Sequence, residues 1–191
     1  RIEDHCLRIA AIDFGWDHPT AMVWFAVDNE SETFYIYDCY RASKASPTVH
    51  AQNIRMRPHF IPIAYPHDGN RRDSMGNPGL ADQYRNLGCN FLLEHFTNPP
   101  ALGTNKGSNS IEEGLMAMLQ SIEAKKFKVF NTLGDWFEEF RMYHRKDGKV
   151  VPLRDDLMSA TRYAFQSQRF AVAGEDPSWT ADVEYRNYGI V

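Results

Sequence analysis

The first third of the chain carries the hydrophobic pattern of a sheet. Residues 7–14 form a short apolar run, Leu-Arg-Ile-Ala-Ala-Ile-Asp-Phe, that reads as a buried strand. Residues 20–27 and 33–40 are rich in β-branched and aromatic side chains. The polar stretch Asp28-Asn29-Glu30-Ser31-Glu32 between them predicts an antiparallel pair. Ser46-Pro47 then supplies an N-cap and a first-turn proline for a helix running to about Arg57. Residues 60–66 predict a fourth strand and residues 89–93 a fifth. A short helix at about 79–87, stopped by Gly88, lies between them.

Farther along, the spacing turns helical. Residues 109–125 place Ile111, Leu115, Met118, Leu119 and Ile122 on one face of a helix. Residues 127–130 predict a short strand and 133–144 another helix; Met116, Met118, Trp136, Phe137 and Phe140 read as core. Asp147-Gly148 predicts the turn of a hairpin over 145–151, and the last helix covers about 155–169. The stretches 69–79 and 98–107 have the composition of loops. The order predicts one α/β domain over 7–173, preceded by a linker remnant at 1–6. A polar, aromatic tail at 174–191 would pack on the surface or await a partner.

Composition narrows the class. A chain of 191 residues with 43% hydrophobic and 13% aromatic content can bury a real core. The net charge of −4 argues against strong free-standing affinity for nucleic acid, though an acidic metal cluster would lower the charge of a nuclease. Three scattered cysteines, Cys6, Cys39 and Cys89, exclude a CxxC zinc motif and point to a reducing cytoplasm. No apolar run is long enough for a membrane span.

The chemistry lies in where the acids fall. Asp13 ends the first strand, Asp68 follows the fourth, and Asp155-Asp156 opens the last helix. Each alone is an ordinary turn or helix-start residue. Together, on strand ends and a helix start, they form what a sheet-based divalent-metal site needs, because clustered carboxylates are costly unless a cation neutralises them. Two oxygen-ligated ions, Mg²⁺ or Mn²⁺, held about 3.5–4 Å apart would suit phosphodiester hydrolysis. Asp156 shares a side with Ala160 and Tyr163, whereas Asp155 lines up with Ser159, Arg162 and Gln166, a polar side expected to be solvated. Asp156 is therefore expected as the third ligand and Asp155 as N-cap or outer support. His67 could orient water or phosphate, and Asp17 and His18 could support the site. Arg71, Arg72, Lys106, Arg145, Lys146 and Lys149 fall on loops and the hairpin, where they could grip a DNA backbone. Asp13-Phe14-Gly15 matches a kinase metal triplet, but no glycine-rich phosphate loop accompanies it.

Three segments carry a family resemblance: residues 9–16 with His18-Pro19-Thr20-Ala21, Tyr65-Pro66-His67-Asp68-Gly69, and residues 154–164 with their paired acids and Arg162-Tyr163. The chain resembles the nuclease domain of tailed-bacteriophage large terminase subunits, in the branch related to P22. The resemblance implies an RNase H-like fold, a mixed β-sheet flanked by helices on both faces. It implies metal-dependent cleavage of double-stranded concatemeric viral DNA during packaging, with Asp13, Asp68 and Asp156 as the three acids. It further implies a packaging ATPase domain in the same polypeptide, portal and small terminase partners, and the host cytoplasm as the place of action. No G-x-x-x-x-G-K-[ST] motif occurs here. A structure-selective resolvase, or a non-catalytic docking module on the same fold, remain as alternatives.

Overall fold

The computed structural model describes residues 2–71, 76, 78–100, 107–151 and 153–174. Arg72, Lys106 and the tail beyond Gly174 lie outside the described residues. The sheet is built on β1 (Leu7–Asp13), β2 (Thr20–Asp28) and β3 (Thr33–Ala42), an antiparallel meander. After helix α1 (Pro47–Ile54), strand β4 (Ile63–Ala64) returns parallel to β1. Helices α2 (Leu80–Asn86) and α3 (Ile111–Glu123) precede β5 (Phe127–Val129), which adds parallel to β3. The resulting order is β4-β1-β2-β3-β5. Helix α4 (Gly134–Met142), the hairpin β6 (Arg145–Lys146) and β7 (Lys149–Val150), and helix α5 (Asp156–Gln166) complete the domain.

Alternation along β1 and β2 divides the core between two faces, since successive strand residues point opposite ways. Ile9, Ala11, Ala21 and Val23 pack against Leu157, Ala160, Ala164 and Phe165 of α5, with Met118 of α3 and Trp136 of α4 beside them. Ala10, Ile12, Met22 and Trp24 pack against Ala51 and Ile54 of α1 and Ala81 and Tyr84 of α2. Helices thus cover both faces, and the middle of β1, between β4 and β2, is buried on both. Alanines at 160 and 164 let α5 lie close on the sheet. Its buried Thr161 hydroxyl donates to the Leu157 carbonyl at 2.7 Å and accepts from the Trp136 indole at 2.9 Å, so no polar atom of that pair is stranded.

Several expectations are corrected. The strand expected at 89–93 makes only an isolated bridge, Phe91 to Ile63, and the strand expected at 60–66 keeps two residues. Pro62 and Pro66 explain the shortening, because proline cannot donate to a ladder. Ser46 stands at the N-cap of α1 without a side-chain cap bond. The apolar stripe of α3 is not simply core: Met118 is buried, but Ile111, Leu119 and Ile122 are exposed, as are Met116 and Phe140. At the N-terminus, Ile2 and Cys6 from the stretch read as linker pack with Ala26.

Candidate active site

Asp13 is the last residue of β1 and stands directly opposite Ala21 of β2, which in turn stands opposite Arg41 of β3. These three share the sheet face that carries α5. β4 lies beside β1 in parallel, so both strands end at the same edge. Just past β4, the 3-10 turn His67–Asn70 holds Asp68 at that edge. The turn is pinned by Gly69, where an added Cβ would meet Phe14 Cε2 and Tyr65 Cδ2 at 2.7 Å each. The Tyr65 hydroxyl contributes a hydrogen bond to Asn70 Oδ1 at 3.0 Å. Asp156 opens α5 from above and is 8% exposed.

Electrostatics link these acids. The Asp13 carboxyl is pushed up to about 7, first by burial and then by the charges of Asp156, Asp68 and Asp155. The Tyr163 hydroxyl, turned toward Asp13, offsets part of that rise. Asp156 is raised by burial and by Asp155, while His18 and Arg41 oppose the rise. Asp155 is raised by burial and relieved by His18 and Arg162. The four sequence-predicted acids are therefore brought into one neighbourhood. Among the described residues, no three His, Cys, Asp or Glu side chains stand close enough to hold a single ion as they are. The arrangement is a cluster of like charges on oxygen donors with no lysine or arginine ion-paired to Asp13, Asp68 or Asp156 among the described residues. Such a donor set fits a hard divalent cation, which would relieve its repulsion.

Other expected residues fall into place unevenly. Asp155 occupies the N-cap position of α5 but makes no side-chain cap bond. The polar side ascribed to Asp155 is not solvated: Arg162 and Gln166 are both buried, with the Arg162 stem lying against Gly114 of α3. His67 is exposed at the rim, its ring 6.3 Å from that of His95. Arg145 is engaged by Glu112 through two hydrogen bonds, at 3.0 and 2.6 Å. Arg71, Lys146 and Lys149 are exposed.

The sequence reading missed Glu139. This α4 carboxylate is fully buried at 0% exposure, accepts a hydrogen bond from the Leu157 amide at 2.7 Å, and pairs with Arg41 at 3.0 Å. Its signal was available, because it lies three residues after Trp136 on the apolar stripe of α4.

A mixed sheet between two helical layers, with acids gathered at the ends of its adjacent parallel strands, defines an RNase H-like domain with an acidic site. The profile of the terminase RNase H-like domain family matches residues 10–168, and the chain belongs to that family. It is 37% identical over 169 residues to the terminase large subunit of Salmonella phage P22, a match covering 88% of this chain and 33% of that protein. The chain thus spans about a third of the length of the curated relatives it matches. It superposes on the P22 large terminase nuclease domain with a TM-score of 0.80 at 35% identity, covering 91% of this chain and 87% of that one. The nuclease domain of g2p, the large terminase of bacteriophage SPP1, was solved with bound Mn. It shares the fold at a TM-score of 0.58 and 18% identity, over 85% of this chain and 86% of that one.

Proposed function

We propose that this domain is a Mg²⁺- or Mn²⁺-dependent endonuclease that cuts double-stranded concatemeric viral DNA during genome packaging. The observation that carries the reading is the gathering of Asp13, half-buried at the end of β1, with Asp156, Asp68 and Asp155, whose like charges add to burial in raising its carboxyl. Carboxylates perturbed in this way cluster at functional sites, and a bound cation would relieve their repulsion. Family membership and the manganese reported for the SPP1 nuclease domain support divalent metal as that partner.

Asp13, Asp68 and Asp156 would hold the cations, with Asp155 at hand as a further oxygen donor. When bound, such ions make a water nucleophilic at neutral pH and neutralise charge on the phosphate and the departing 3′-oxygen. The chain's own residues supply the frame. β1 holds Asp13 at its end between β4 and β2, the Gly69 turn presents Asp68 to solvent, and α5 carries Asp156 in its first turn. Lys146, Lys149 and Arg71 stand exposed at the surface to meet a DNA backbone, whereas Arg145 is occupied by Glu112. The packaging ATPase domain, the portal and the small terminase subunit are the expected partners of the whole polypeptide, and the host cytoplasm its place of action. No helix among the described residues is long and apolar enough to cross a membrane.

The test is plasmid digestion with Mn²⁺, with Mg²⁺ and with chelator, beside Asp13→Asn, Asp68→Asn and Asp156→Asn. Metal-dependent nicking that falls about 10³-fold or more in each folded variant is expected. Activity that survives chelator, or is indifferent to Asp13→Asn, contradicts the reading. Linear and four-way DNA run in parallel separate it from a resolvase, which would favour the branched substrate.

A further inference from the structure

We infer that Glu139, anchored by Arg41, is a positioning residue that fixes the start of α5 and so sets where the Asp156 carboxylate stands relative to Asp13. The inference rests on the nuclease reading and names a part of the site that the acids alone do not reveal.

The first amides of a helix need acceptors, and a residue at the N-cap normally provides one. At α5 the N-cap residue is Asp155, with φ −119° and ψ 13°, and its side chain makes no cap bond. The duty has passed to another helix: Glu139 Oε2 of α4 accepts from the Leu157 amide at 2.7 Å. Neither acid is spent on capping the helix: the Asp155 side chain makes no cap bond, and Asp155 and Asp156 are each steadied only by their own backbone amide. A second tie reinforces the first, since Arg154 Nη1 donates to Glu138 Oε1 at 3.1 Å. Arg154 itself takes a left-handed φ of 51°, so the turn entering α5 is held at two adjacent points of α4.

The other oxygen of Glu139 leads back to the sheet. Arg41 Nη1 donates to Glu139 Oε1 at 3.0 Å, and Arg41 Nη2 reaches Asp135 at 3.0 Å and Glu138 at 2.5 Å. Arg41 lies in line with Ala21 and Asp13 across three adjacent strands. A closed circuit results, from Asp13 through the backbone ladder to Arg41, through Glu139 to the Leu157 amide, and so to Asp156. A fully buried carboxylate is costly, and here the cost is offset in part by a guanidinium and an amide that no apolar residue could engage. Packing alone would be served as well by leucine.

The test measures Mn²⁺ binding by titration calorimetry without DNA, at a temperature where circular dichroism shows every variant folded. Glu139→Asp keeps the charge beside Arg41 but withdraws the acceptor from Leu157, and Glu139→Ala removes both. Each is expected to weaken Mn²⁺ binding tenfold or more, the range set by outer-shell partners, on the order of 10–100-fold. Glu139→Gln, which still offers an oxygen to the amide but turns its –NH2 toward the Arg41 guanidinium, should weaken binding less than Glu139→Ala. Because the effect runs through Asp156, adding Glu139→Asp to Asp156→Asn should weaken binding no further. If Glu139→Ala fails to fold, Glu139→Asp decides. Wild-type Mn²⁺ affinity in folded Glu139→Asp, or full additivity with Asp156→Asn, overturns the positioning role alone. A wild-type chain that binds Mn²⁺ no better than Asp13→Asn overturns the nuclease reading and this inference together.

Discussion

Asp13 stands where burial and three neighbouring carboxylates act on one group in the same direction. Its carboxyl lies near 3.8 in the unfolded chain and at about 7 in the fold. Between those values the unfolded chain has released the proton and the folded chain keeps it. Stability in chelator therefore falls as pH rises from about 4 to about 7. The shift corresponds to an upper bound on the order of 4 kcal/mol, reduced by solvent near the half-buried group. Asp13→Asn removes the penalty. In EDTA at pH 8 it is expected to melt at least about 3 °C above wild type, with the difference vanishing at pH 4. Mn²⁺ should reverse the order by stabilising only the wild-type chain, which melts at both pH values with and without metal would show. That Asp13 and Asp156 fall at element boundaries was legible, because the apolar periods mark where β1 ends and α5 begins; Asp68 follows a strand of only two residues and was placed less sharply. Glu139 carried only a positional sign, three residues after Trp136, and its charge pointed the other way: a glutamate in an amphipathic helix ordinarily faces water, and the Leu157 amide and Arg41 that receive it here come from distant segments.

Elements place these residues, and one small turn does so most tightly. At Gly69 a Cβ would press on Phe14 and Tyr65, both parts of the packed layer beneath Asp68. Gly69→Ala is expected to cost about 1–3 kcal/mol by overpacking. Nicking should fall further than the reduced stability explains, since the displaced turn carries Asp68. Activity measured well below the melting temperature, with circular dichroism as the folding control, checks this. A fully active, folded Gly69→Ala chain would show that the turn has slack. Strand and helix periods were readable in the sequence almost throughout, but which side of a helix is covered was less so. In α3 the packing is set by Gly114, where the Arg162 stem comes within 2.8 Å of a notional Cβ. A glycine carries no hydrophobic signal, so the stripe of Ile111, Leu119 and Ile122 drew the reading toward a face that is exposed.

For the molecule as a whole, the net charge of −4 makes DNA binding depend on a few local cations. Lys146 and Lys149 flank the hairpin turn with exposed side chains and form no ion pair among the described residues, while Arg145 beside them is tied to Glu112. Replacing both lysines with alanine should weaken binding to a duplex, measured by fluorescence anisotropy against salt. The salt slope should fall by about 0.9 for each phosphate that the lysines no longer neutralise. Arg145→Ala should change it less. A slope unmoved by the lysine pair would remove the hairpin from the DNA path. The layering was legible because a meander followed by strand–helix alternation admits few topologies. The edge position of β5 beside β3 was not, because a three-residue strand carries no mark of its partner.

The central claim is that Asp13, Asp68 and Asp156 share bound divalent metal. Crystals soaked in Mn²⁺ and measured at its absorption edge test it most directly. An anomalous peak is expected within coordination distance of Asp13 and Asp156, at the edge where Asp68 lies, and it should be lost in Asp13→Asn. Manganese bound only elsewhere, or a peak unchanged by Asp13→Asn, would contradict it.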